Sequence, residues 1–139
     1  MSRFLTNHPS GDPLRAFRES VNESNRQACS VVFKGISEYG SVDEAENKRE
    51  DYTTVTDIIR WLGVFDVIPE SNVRRTLTGI PNRRNIIVTL NSQTSRELLI
   101  QRGRVWLETE DRLRYVTIEE AVSHSELQAR RILGTPERR

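Results

Sequence analysis

Apolar side chains recur at two spacings along this chain, and the switches between them divide it into short elements. Leu14, Phe17 and Val21 follow Asp12 and Pro13 at helical spacing, an N-cap with proline at the first helical position. They predict a helix over about Pro13–Gln27, polar elsewhere and in need of a partner surface. Ser30 to Ile36 is a β-branched and aromatic run, expected as a buried strand, with Ser37 to Gly40 turning out of it. Ser41 and Glu44 have capping-box spacing. The helix behind them carries Tyr52, Val55, Ile59 and Leu62 on one face, with Ile58 beside them and Gly63 as its stop.

A second strand is expected over about Asn72–Leu77, then a turn at Gly79-Ile-Pro-Asn. Asn85 to Leu90 gives the clearest strand signal. Thr94 and Glu97 form a second capping box, opening a helix through Leu98, Leu99 and Ile100 that ends near Gly103. Arg114 to Ile118 reads as the last strand. Ser123 with Glu126 opens a final helix carrying Leu127, Ile132 and Leu133, ended by Gly134, Thr135 and Pro136.

The order β-α-β-β-α-β, with a helix added at each end, predicts an α+β fold of ferredoxin-like topology. One antiparallel sheet would cover its inner face with two helices and leave its outer face free. Residues 1–12 read as a flexible arm and 13–28 as an N-terminal helix or linker. Residues 29–118 form the expected domain, and 119–139 a C-terminal helix and basic tail.

Length and composition change this picture little. With 139 residues, 35% hydrophobic and 29% charged, the chain suits one soluble domain with a modest core. The longest apolar runs fall far short of the roughly 20 residues that span a bilayer, and the start has no signal-peptide core, so an intracellular protein without a membrane partner is expected. A single cysteine, Cys29, suits a reducing cytoplasm or nucleus.

Charge distribution adds more. Between Ser71 and Trp106 stand Arg74, Arg75, Arg83, Arg84, Arg96, Arg102 and Arg104 against one acid, Glu97. From Asp43 to Glu70, eight carboxylates face only Lys48, Arg49 and Arg60, while the whole chain sums to +1. Two blocks of opposite sign suggest a directional field with one face attractive to polyanions. Arginine supplies nearly all of the positive charge, and its planar fork suits phosphate and base contacts. A solvated surface explains the same arginines without a ligand.

Several local patterns resemble a known family. Ser30-Val-Val-Phe-Lys-Gly-Ile-Ser-Glu is similar to an opening strand with its "G-(I/L)-P-E" turn. Lys48-Arg-Glu-Asp leading to Ile59-Arg-Trp-Leu-Gly, and then Val73-Arg-Arg, resemble the first helix and second strand. Arg83-Arg-Asn-Ile-Ile-Val-Thr-Leu-Asn-Ser resembles the "R-P-(I/L)-(K/I)-V-x-L-x-S" third strand. Ala121-Val-Ser-His-Ser-Glu-Leu-Gln-Ala-Arg-Arg is similar to the "L-S-x-E-E-x-x-R-R" segment after the last strand. Together, over about Gln27 to Leu133, they resemble the RNA-recognition-motif-like domain of first-open-reading-frame proteins of non-LTR (LINE-type) retrotransposons, or of a host protein related to such an element. The family's Arg-x-Gly after the second strand is replaced here by Arg75-Thr-Leu-Thr-Gly. The resemblance implies single-stranded nucleic-acid binding, often in an oligomer.

An ordinary RNA-recognition motif stacks bases on aromatic side chains of its two central strands. Alignment puts Val32, Asn85 and Ile87 at those positions, with Phe33 turned into the core. Two readings follow. In the first, Lys34, Arg74, Arg75, Arg83, Arg84, Arg104, Arg130 and Arg131 bind the phosphates of single-stranded RNA or DNA with weak sequence preference. Arg74 and Arg75 alternate, so only one of them can share that face. Arg102 and Arg104 also suit a helix C-terminus, and Arg130 and Arg131 a solvated helix. In the second, Val32, Asn85 and Ile87 dock a protein partner or a second copy, as an adaptor or dimerisation module.

Catalytic chemistry finds little support. His8 and His124 have no recognisable catalytic partner, one cysteine and two histidines give no zinc spacing, and Asp51 and Asp57 lack a metal motif. Gly35, Gly40 and Gly63 read as turn or cap glycines rather than a phosphate loop, and Trp61 and Trp106 as helix-end anchors in the core. A non-enzyme without metal or cofactor is expected.

Overall fold

The structure, a computed structural model, describes residues 13–121. Its elements are α1 (Pro13–Ala28), β1 (Ser30–Lys34), α2 (Glu44–Trp61), β2 (Val73–Arg75), β3 (Ile86–Thr89), α3 (Gln93–Trp106) and β4 (Thr117–Glu120). The expected C-terminal helix, the first-residue arm and residues 130 and 131 lie outside the described residues.

The four strands form one antiparallel sheet in the order β2-β3-β1-β4, so each βαβ unit straddles a strand of the other. That is the ferredoxin-like arrangement. Alternation along the strands separates the two faces. Val31 and Phe33 of β1, Ile86 and Val88 of β3, and Ile118 of β4 are buried against Val55, Ile58, Ile59 and Leu62 of the α2 segment and Leu99 and Ile100 of α3. Val32 and Ile87 take the opposite face, directly paired and half-buried.

Local chemistry sets the boundaries. β1 ends at Gly35, whose φ of +93° favours glycine and whose Cβ, if present, would stand 2.1 Å from the Tyr115 carbonyl oxygen. Asp43, rather than Ser41, caps α2: its carboxylate accepts from the Ala45 N–H. The Ser41 hydroxyl instead accepts from the Asp43 N–H and donates to Glu46. Ser92, rather than Thr94, caps α3, accepting from the Ser95 N–H. α3 also runs a turn past Gly103, which is buried inside the helix where an added Cβ would lie 3.2 Å from Ile118 Cδ1. Two 3-10 turns, Leu107–Thr109 and Asp111–Leu113, fill the connection and move β4 beyond the expected Arg114 start.

Candidate nucleic-acid interface

The outer sheet face is built around one cross-strand row. Arg74 stands opposite Ile87, Ile87 opposite Val32, and Val32 opposite Glu119. Lys34, two residues beyond Val32 on the same face, reaches Glu119 with Nζ 3.0 Å from Oε1. Both partners are about half exposed, at 46% and 50%, so this pair contributes little to stability and can exchange for another anion. Asn85, one residue before β3, is half-buried, and its carbonyl accepts from the Thr76 N–H at 2.9 Å. Arg74 and Arg83 are exposed and have no ion pair among the described residues.

The remaining arginines of the basic block are turned to internal work. Arg75 faces the helices, opposite buried Ile86, with its side chain only 8% exposed. Its Nε and Nη2 donate to the two carboxylate oxygens of Asp51 at 3.0 and 2.9 Å, a bidentate pair. The same guanidinium donates to the carbonyls of Ile36, Ser37 and Arg84. Arg84 makes a second bidentate pair with Glu38, at 3.1 and 2.7 Å, and donates to the Thr76 carbonyl. Its hydrogen bond to the carboxylate holds Glu38 at about 2, below the ordinary 4.5.

Arg96 is buried, donating to the Ala28 carbonyl that ends α1 and lying 3.5 Å from Glu120. Arg102 donates to the carbonyls of Leu62 and Gly63, closing the C-terminus of α2. Arg104 is exposed but stands on α3, in the helix layer rather than on the sheet.

The structure therefore gathers Lys34 and Arg74 with Val32, Ile87 and Asn85 on the sheet face, and places Arg83 in the loop leading into β3. It directs Arg75 and Arg84 inward and leaves Arg104 on the helix side. Arg75–Asp51 joins the basic block to the acidic one and Arg84 is paired with Glu38 outside both, so two of the seven arginines add little to the directional field expected from the sequence. Trp61 and Trp106 are 47% and 52% exposed rather than core anchors, because the next residue in each case, Leu62 and Leu107, takes the buried position.

A residue that sequence reasoning passed over is Tyr39, 54% exposed beside Glu38. Among the described residues no cluster of His, Cys, Asp and Glu could hold a metal ion, and no helix is long and apolar enough to cross a membrane. No protein-family model matches the chain, and no curated protein matches it at significant similarity.

Proposed function

We propose that the outer sheet face binds single-stranded nucleic acid, RNA first, in a non-catalytic role. The observation that carries this reading is the pair of cations, Arg74 and Lys34, flanking the half-buried Val32–Ile87 pair on the face away from the helices. Arg83 extends the surface at the loop into β3. The resemblance to retrotransposon RNA-recognition-like domains supports the same reading at the level of sequence pattern.

With no aromatic on this face, contacts go to phosphates, and binding is weakly selective and salt-dependent. Arg74 and Arg83, with Lys34 once it exchanges Glu119 for phosphate, imply a slope of log K on log salt of at most about −2, from roughly −0.7 per phosphate on a single strand. Nonspecific affinity of this kind falls at about 10⁻⁴–10⁻⁶ M at physiological salt. Fluorescence anisotropy of a labelled single-stranded RNA at several salt concentrations tests it. A slope near −2 that shrinks by about 0.7 in Arg74→Ala agrees with the reading. No binding even at low salt contradicts it.

The direct Val32–Ile87 pairing also favours a second reading, docking of a protein or a second copy on the same apolar centre. Such docking tolerates salt, whereas phosphate binding weakens with it, which separates the two.

A further inference from the structure

A cleft of about 650 Å³ runs along the free edge of β2 between α2 and the β2–β3 connection. Its walls include Tyr39, Lys48, Glu70, Arg74 and Leu77. The volume is in the range of small-molecule sites, sufficient for one nucleotide.

Two features distinguish this cleft from a plain surface groove. The first is an exposed aromatic ring next to an anchored residue. Tyr39 is 54% exposed, yet Glu38 before it is fixed twice: its N–H donates to the Asn82 carbonyl at 2.8 Å, and its carboxylate is clamped by Arg84. Gly40 follows with φ +82°, turning the chain away. An exposed ring on an anchored backbone offers a stacking face at small ordering cost.

The second is charge balance. Glu38 and Asp51 are each neutralised by an arginine, leaving Glu44 and Glu70 against Lys48 and Arg74. A wall with no net charge gives phosphate little net attraction, whereas a ring beside acceptors and donors suits a flat, polar, uncharged group.

We infer that this cleft takes one nucleobase of the bound strand, stacked on Tyr39, with Arg74 passing the strand from the sheet face around the β2 edge. The inference rests on the nucleic-acid reading above and supplies the aromatic that the sheet lacks. Arg74 belongs to both surfaces: it stands on the outer face opposite Ile87 and lines the cleft.

The two contributions differ in salt response, because stacking releases no counterions. The experiment compares wild type, Tyr39→Ala, Tyr39→Trp and Arg74→Ala by anisotropy of a mixed-sequence single-stranded RNA 20-mer at two or more salt concentrations. Tyr39→Ala is expected to weaken binding by about 5- to 150-fold, equally at low and high salt, as for a lost stacked base. Tyr39→Trp keeps a ring and restores binding, while Arg74→Ala lowers the salt slope. Tyr39 is exposed, so these variants leave the core intact. If Tyr39→Ala binds within twofold of wild type while Arg74→Ala still lowers the slope, the cleft inference is overturned and the sheet reading stands. If the wild type does not bind RNA at all, the reading beneath it falls first.

Discussion

Arg74 and Arg75 are adjacent in sequence and point to opposite faces of β2, which separates their consequences. Arg75→Ala leaves the Asp51 carboxylate, 14% exposed, without its partner. Loss of one member of such a buried pair costs about 3–5 kcal/mol, measurable by urea unfolding. Arg74→Ala touches only the surface and changes stability by about 0.5 kcal/mol or less. A similar stability loss in both variants would contradict the assigned faces. Alternation told from the sequence alone that only one of the two could join the sheet surface. Which one was not legible, because the deciding partner, Asp51, lies 24 residues away in α2.

Glu38 gives a second residue-scale prediction. Its folded value of about 2 lies below the ordinary 4.5, so the Arg84 clamp adds stability that is fully present above about pH 4.5. That contribution is lost as pH falls toward 2, where the folded carboxylate takes up its proton. An NMR titration of the Glu38 side-chain carboxyl carbon should show a midpoint near 2 in wild type and a clearly higher one in Arg84→Ala. A wild-type midpoint near 4.5 would show that the clamp does not persist in solution.

Among the elements, the sequence pattern located every described α-helix and strand but not their ends, and it missed the 3-10 turns. The Tyr52, Val55, Ile59 and Leu62 stripe, and the apolar run of β3, declare themselves because burial on one face fixes their spacing. The ends depend on which polar side chain reaches a free N–H, and Asp43 and Ser92 win over the equally suitable Ser41 and Thr94. Gly103 looked like a stop, yet it is in the helix interior, where α3 packs against β4 with an added Cβ 3.2 Å from the Ile118 side chain. Gly35 has the stricter requirement, combining positive φ with a backbone carbonyl at 2.1 Å from an added Cβ. Gly35→Ala should therefore cost about 3 kcal/mol or more, read from the midpoint of denaturant unfolding, by forcing β1 and the Tyr115 segment apart. A loss below about 1 kcal/mol would mean that the turn has freedom absent from this packing.

For the whole molecule, the order of apolar runs was enough to anticipate the ferredoxin-like sheet, since each βαβ unit follows from element order and short connections. The charge blocks misled at this scale. They suggested one basic and one acidic face, whereas the fold brings Asp51 to Arg75 and Glu38 to Arg84 and leaves a smaller cationic surface on the sheet. The cleft beside β2 was also not legible, because Tyr39, Lys48 and Leu77 meet only once the sheet edge has formed.

On the proposed nucleic-acid reading, a single strand lies on the sheet face and passes the β2 edge. Amide chemical-shift mapping of the labelled protein, titrated with single-stranded RNA at low salt, tests it most directly. Perturbations are expected at Val32, Lys34, Arg74 and Ile87, continuing to Tyr39, with Trp61, Arg104 and Leu113 on the helix side undisturbed. Perturbations confined to the helix side, or none at saturating RNA, would contradict it.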